Sequence, residues 1–241
     1  MKKLIYLLFV LPLFAFGQDN SQDHIINITH IKVKMGHDAQ FVEGVKMYKE
    51  CYNKAGGENN WDFWRRVQGE AGVYAVTDMM ANWAEMDDDS DEAGQKCVSI
   101  FPNFIAPHMK SIYSSITESI PEVSKDGNEN NDKVWVTYFN VDNSADFMSV
   151  IKAVSGAVKD KEGDERAWWY SVAGGSSDAP DYMVVWPFDK YADLDEDMDG
   201  VWKIYEDANG EKKADEMRAK FRASVKSSSS YIYDRNPDMS N

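Results

Sequence analysis

Cations are scarce in this sequence. Its 241 residues carry 26 Lys and Arg against 41 Asp and Glu, a formal net charge of −15. Partners rich in phosphate demand clustered cations, so DNA and RNA are excluded, and an anionic membrane surface is disfavoured on the same ground. Cysteine is scarcer: Cys51 and Cys97 are the only two, with no Cys-x-x-Cys spacing to suggest a redox motif. The four histidines, His24, His30, His37 and His108, include no pair at metal-ligand spacing. The phosphate-binding loop, the dinucleotide fingerprint, the His-Glu-x-x-His zinc motif and the Gly-x-Ser-x-Gly elbow are all missing, which weakens nucleotide, zinc-protease and α/β-hydrolase readings. Aromatic residues, by contrast, are plentiful. Eight Trp within 13% aromatics exceed what a disordered chain carries.

The one long apolar run is at the start. Met1–Gly17 reads as a secretory signal peptide: Lys2 and Lys3 precede the apolar stretch Leu4–Phe14, and Ala15 and Gly17 offer the small residues of a cleavage site before Gln18. The run is short for a membrane span and no stop-transfer stretch follows it, so no membrane insertion is expected after cleavage. The predicted location is the periplasm or the exterior, an oxidising setting in which Cys51 and Cys97 either form a disulfide or sit as two buried thiols.

The rest of the chain repeats itself. Phe41, Val45, Tyr48 and Tyr52 form one face of a helix, and Phe147, Ile151, Val154 and Val158 repeat it 106 residues later. Gly56-Gly57 and Gly163 are the terminators, and Ser144 is the expected N-cap of the second helix. Trp61–Trp64 parallels Ala167–Tyr170. At an offset of 108, Tyr74 and Val76 parallel Tyr182 and Val184, and Trp83–Asp87 parallels Tyr191–Asp195. At 116, Ile116, Pro121, Glu122 and Ser124 parallel Ile232, Pro237, Asp238 and Ser240. The pattern predicts βαββαβ twice. Strands are expected at 24–34, 61–68, 72–77 and 111–120, then at 133–141, 166–171, 182–186 and 229–235. Helices are expected at 38–55, 90–109 (kinked at Pro102 and Pro107), 144–161 and 200–225. The units are 1–17 (signal), 18–124, a linker at 125–132 within the polar stretch Pro121–Asp132, and 133–241.

Each half has the order of a ferredoxin-like unit. Val134, Val136 and Tyr138 alternate with Trp135, Thr137 and Phe139, apolar on both faces, so both faces of that sheet should be buried. On these features, with the aromatic strands and the segments Trp83-Ala84-Glu85 and Tyr191-Ala192-Asp193, the chain resembles a tandem dimeric α/β-barrel protein. That superfamily includes the antibiotic-biosynthesis monooxygenase, EthD and NIPSNAP-like families. The resemblance implies an α+β fold in which two tandem ferredoxin-like units form an intrachain pseudo-dimeric barrel.

Candidate site residues follow. His30 alternates with Ile31 and shares a face with Lys32 and Lys34. If that face points into a barrel, the resemblance implies a general base or a haem ligand; if it points outward, His30 is an ordinary surface residue. Arg66 would bind an anionic group inside an aromatic barrel, or pair with surface acids at a strand end. Trp64, Trp135 and Trp169 are candidate pocket walls or simply core. Asp195-x-Asp197-x-Asp199-Gly200, with Glu206 at position twelve, fits a calcium loop, although Lys203 stands at position nine. The alternative is a solvated acidic loop before a helix. No motif demands a cofactor; calcium, haem and flavin stay open. Three functions remain: a pocket for a small organic ligand, a cofactor-independent monooxygenase-like enzyme, or a calcium-stabilised interaction module.

Overall fold

A computed structural model describes residues 24–87, 90–127 and 131–241. The signal-peptide segment 1–17 lies outside the described residues. In chain order the elements are β1 (Ile25–Val33), α1 (Asp38–Lys54), β2 (Asp62–Arg66), β3 (Val73–Met80), α2 (Glu92–Cys97), β4 (Met109–Ser119), β5 (Lys133–Val141), α3 (Ser144–Glu162), β6 (Trp168–Gly174), β7 (Tyr182–Phe188), α4 (Val201–Asn209), α5 (Glu211–Ser224) and β8 (Val225–Arg235). The eight strands, antiparallel throughout, close into one barrel in the order β1-β3-β2-β8-β5-β7-β6-β4. The helices pack outside it.

Both faces of the barrel wall are apolar, as the alternation in β5 predicts. Val134, Val136 and Tyr138 point inward with Ile28, Trp168, Tyr170, Met183 and Tyr233. Outside, Ile31, Val33, Phe63 and Tyr74 pack against Phe41 and Val45 of α1. Phe139 packs against Phe147 and Ile151 of α3. Gly44 of α1 is needed there, because a Cβ at that position would lie 2.3 Å from the Phe104 carbonyl oxygen.

Several boundaries differ from the sequence expectation, each for a local reason. The N-cap of α3 is Asn143, whose side chain accepts from the Asp146 N–H at 3.0 Å, rather than Ser144. The expected helix 200–225 is two helices, broken at Gly210, which adopts φ +86°. The expected helix 90–109 is a short α2 followed by a π-turn at Phe101–Ile105 and a 3-10 turn at Ala106–His108, each with proline at its start. Val123 and Ser124, the last residues of the expected first unit, are buried. Cys51 and Cys97 form a disulfide, joining α1 to α2.

Closure across the two halves is reciprocal. The seams are short: Trp64, Arg65 and Arg66 of β2 meet Arg235, Asp234 and Tyr233 of β8, and Thr117–Ser119 of β4 meets Tyr170–Val172 of β6. Each seam is reinforced by the segment that follows the last strand of a half. Ser124 Oγ accepts from the Trp169 N–H at 2.8 Å, and Ser240 Oγ accepts from the Phe63 N–H at 2.9 Å. Val123 and Met239 are both fully buried. Lys152 pairs with Glu122 at 2.7 Å, and Lys46 with Asp238 at 2.8 Å. All of these pairs fall at the offsets of 106 and 116 residues read from the sequence. Removing a buried methionine side chain generally costs 2–5 kcal/mol. Met239→Ala is therefore expected to lower unfolding stability by about 3 kcal/mol in urea denaturation, whereas Lys46→Ala, which breaks only an exposed pair, should leave the urea midpoint nearly unchanged.

Candidate functional site

A cavity of about 1000 Å³ runs into the barrel interior and is open to the surface. Strand alternation decides what lines it. On β1 the inward residues Ile26 and Ile28 line the space, and His30 comes next beyond them. On β2 Asp62 and Trp64 line it, with Arg66 beyond; on β8 Arg235 and Tyr233 line it, with Tyr231 beyond. The cavity is apolar along its walls, through Trp64, Val134, Val136, Trp168, Met183 and Val185. Thr77, Tyr138, Tyr170 and Tyr233 supply its hydroxyls, and His24 an imidazole.

Past Tyr138 lies a polar layer. His30 faces inward and is only 8% exposed, stacked on the Tyr113 ring with centroids 5.0 Å apart. Its Nε2 lies 3.4 Å from the Tyr138 hydroxyl, which is 3.4 Å from that of Tyr233. The chain His30–Tyr138–Tyr233 thus runs from the interior layer to the cavity wall. Burial, then the nearby Arg66 charge, pulls the His30 imidazole down to about 4, so it is neutral at ordinary pH. Burial pushes the Tyr138, Tyr170 and Tyr233 hydroxyls up, keeping them protonated. The Arg66 guanidinium lies 4.3 Å from the centre of the Tyr231 ring and donates to the Glu70 carbonyl at 3.1 Å. Two atoms of this layer, His30 Nδ1 and Arg66 Nε, are buried without a protein hydrogen-bond partner. His30 and Arg66 therefore share the interior, but behind the cavity rather than in its wall.

Trp135 and Trp169 point the other way. They line an outer cleft of about 490 Å³ between the β5–β7 face and helices α3–α5, walled further by Val154, Trp186 and Trp202. Its polar side chains are already engaged. Ser230 Oγ takes the Trp135 indole N–H at 2.5 Å and lies 2.8 Å from the Thr137 hydroxyl. Arg166 grips Glu162, and buried Glu165 pairs with Lys159 at 3.0 Å. Trp64 thus belongs to one space, and Trp135 and Trp169 to another.

The calcium motif does not assemble. Asp195 ends a 3-10 turn, Gly200 starts α4 with φ −63°, Asp199 pairs with Lys161 at 2.7 Å, and Glu206 pairs with Arg218 at 2.6 Å. Asp197 is exposed, and among the described residues no three His, Cys, Asp or Glu side chains are grouped to hold a metal ion. A haem needs an axial side chain directed into its space; of the four histidines only His24 lines the barrel cavity, and its Nε2 is engaged there. His30 Nε2 faces Tyr138, His24 Nε2 faces the Tyr170 hydroxyl at 3.3 Å, His37 and His108 face each other with Nδ1 atoms 2.9 Å apart, and both cysteines are in the disulfide. The tyrosines that line the barrel cavity are held as neutral phenols, and no histidine lines the outer cleft.

Neither a family model nor a curated protein matches this chain. Solved structures do. An anthrone oxidase-like protein matches with a TM-score of 0.53 at 12% identity, over 88% of this chain and 91% of the other. A monooxygenase-like protein from Lactobacillus acidophilus matches with a TM-score of 0.52 at 12% identity, over 88% and 93%. A mutant chlorite dismutase from Candidatus Nitrospira defluvii matches with a TM-score of 0.53 at 9% identity, over 90% and 92%. The fold is that of the dimeric α/β-barrel proteins, as the sequence pattern suggested.

Sequence reasoning singled out His30, Arg66 and three tryptophans but missed Tyr138, Tyr170 and Tyr233. The sequence pattern placed each on a strand, but which face of that strand points inward is set by the barrel register. One consequence of the buried imidazole is measurable. An unfolded histidine takes up its proton near pH 6.5, and folded His30 only near 4, so the unfolded state binds more protons in between. The His30 contribution is intact above pH 6.5 and is lost as the pH falls toward 4. Its full extent is about 3 kcal/mol, at 1.36 kcal/mol per unit. Urea denaturation of wild type and His30→Leu at pH 7.5 and 5 should show a smaller acid loss in the variant. Equal losses would rule out a buried neutral imidazole.

Proposed function

We propose that this chain is a monooxygenase-like barrel protein that takes a small, largely aromatic molecule into its interior cavity and works without a bound cofactor. One observation carries the reading. The cavity is lined by Tyr138 and Tyr233, which connect by hydrogen-bond distances to the neutral, buried imidazole of His30. A substrate with an acidic C–H against Tyr138 can pass its proton to that hydroxyl oxygen while the phenol proton moves to His30 Nε2. The resulting carbanion then meets dioxygen. For a doubly activated CH2 group the balance closes without an outside reductant: one oxygen atom becomes the carbonyl oxygen, and the other leaves as water with the two hydrogens. Arg66, just beyond, is the charge that favours an anion in this layer.

The fold shared with an anthrone oxidase-like protein supports this reading and suggests a probe. Anthrone in air-saturated buffer is expected to give anthraquinone with one dioxygen consumed per substrate. Tyr138→Phe and His30→Leu should lower kcat by at least about 100-fold. Turnover unchanged in both variants, or absent in wild type although anthrone binds, would overturn the chemical part.

The outer cleft favours a second reading, binding alone. It is walled by Trp135, Trp169, Trp186 and Trp202, and its polar groups are already paired, so it suits an uncharged apolar molecule and no chemistry. An exported chain formed by internal duplication completes the proposal. The matched tail contacts and the common element order of the halves support duplication, and the Met1–Gly17 segment supports export.

A further inference from the structure

The polar layer behind the cavity holds donors that no protein group receives. His30 is 8% exposed, yet its Nδ1 has no hydrogen-bond partner, and Arg66 Nε is buried and equally unmet. With the Tyr138 hydroxyl donating to Nε2, Nδ1 carries the one hydrogen of the neutral ring, so both atoms are N–H donors. A buried donor without an acceptor is costly. The Arg66 charge is unmet as well. Glu70 gives Arg66 only its backbone carbonyl, at 3.1 Å, and gives its carboxylate to Lys32 at 2.8 Å. The guanidinium otherwise lies over the Tyr231 ring. In a chain with 41 acidic residues, a half-buried arginine paired with none of those described calls for a counter-charge. Strand register brings the two donors together. Ala75 of β3 pairs with His30 of β1 on one side and with Trp64 of β2 on the other, and Arg66 is the next inward residue along β2. Only a methyl group therefore stands between the imidazole and β2, and the Arg66 charge acts on His30 directly.

We propose that this layer binds a small monovalent oxyanion, of the size of formate, between His30 Nδ1 and Arg66 Nε, and that the bound anion orients His30. Arg66 supplies a charge and a donor, and His30 a second donor, the combination that recognises a carboxylate. A water in the same place would satisfy the donors but not the charge. The anion is not the cavity's ligand, because Tyr138 separates the two. Its effect is on the imidazole. An acceptor at the Nδ1–H fixes the tautomer in which Nε2 accepts from Tyr138 and makes that nitrogen more basic, as the carboxylate beside a catalytic or metal-bound histidine does. His30 is thus a positioning target as well as a base, and the third member of its relay comes from solution. The inference rests on the relay proposed above only for the His30 tautomer, and does not need the oxidation.

The test is a titration of protein labelled with nitrogen-15 in its histidine rings, at pH 7 and constant ionic strength, with sodium formate and with formamide, a neutral molecule of the same size. His30→Leu identifies the resonances. Formate is expected to shift the His30 ring nitrogens saturably, with Nδ1 protonated and Nε2 not, and formamide to leave them in place. Arg66→Gln should weaken formate at least about tenfold, and Arg66→Lys, which keeps the charge without the Nε donor, should fall between. No saturable shift with formate in wild type, or an equal shift with formamide, means that the layer holds water alone and overturns the proposal. Formate binding unchanged in both arginine variants overturns it too. Anthrone turnover is a separate readout: its absence leaves a positive titration standing and removes only the oxidation. A formate complex protonated on Nε2 instead would overturn the orienting role and the relay together.

Discussion

Barrel closure is the constraint on which the rest of this structure depends. Within each half the strands pair along most of their length, but the halves meet only along two short seams. What fixes those seams is an exchange of segments. The stretch after β4 docks on β6, and the stretch after β8 docks on β2, each burying one apolar side chain, Val123 or Met239, and each offering a serine hydroxyl to a strand N–H. Because the exchange is reciprocal, neither half completes the wall alone. The interior exists only once both are in place, and with it the desolvation that holds His30 neutral and the tyrosines protonated.

Much of this was legible in the sequence. The spacings of Phe41 to Tyr52 and of Phe147 to Val158 located α1 and α3, and the two-faced alternation of β5 implied a wall buried on both sides. The parallel between Ser124 and Ser240 marked positions that make the same hydrogen bond in the two halves. What sequence could not supply was sidedness. Trp64, Trp135 and Trp169 look alike as strand aromatics, yet one residue of register separates the barrel interior from the helix layer. Arg66 looked like an anion receptor because its strand was right, but depth along the strand decides what it touches, and Tyr138 lies between it and the cavity. The acidic loop at Asp195–Glu206 had the spacing of a calcium site. Spacing does not impose the loop conformation, and Lys161 and Arg218 occupy two of the four carboxylates. The helix expected over 200–225 failed at one glycine, where a backbone freedom invisible to periodicity splits it.

Two spaces of different chemistry result. The outer cleft is apolar and self-satisfied, suited to recognition by shape. The barrel cavity combines apolar walls and neutral phenols with a buried imidazole in the layer behind them. His24 is the one imidazole that lines either space, and its Nε2 lies against the Tyr170 hydroxyl; the chemistry argued for is that of the side chains themselves. A fold of this kind hosts many activities, and it is these residues that argue for one.

The most direct test of the account is the position of a small aromatic molecule in a crystal. Anomalous scattering from crystals soaked in 1-bromonaphthalene should place bromine inside the barrel, between Trp64 and Trp168 and against Tyr138. Bromine found only in the outer cleft, or a barrel interior closed by its own side chains, would contradict it.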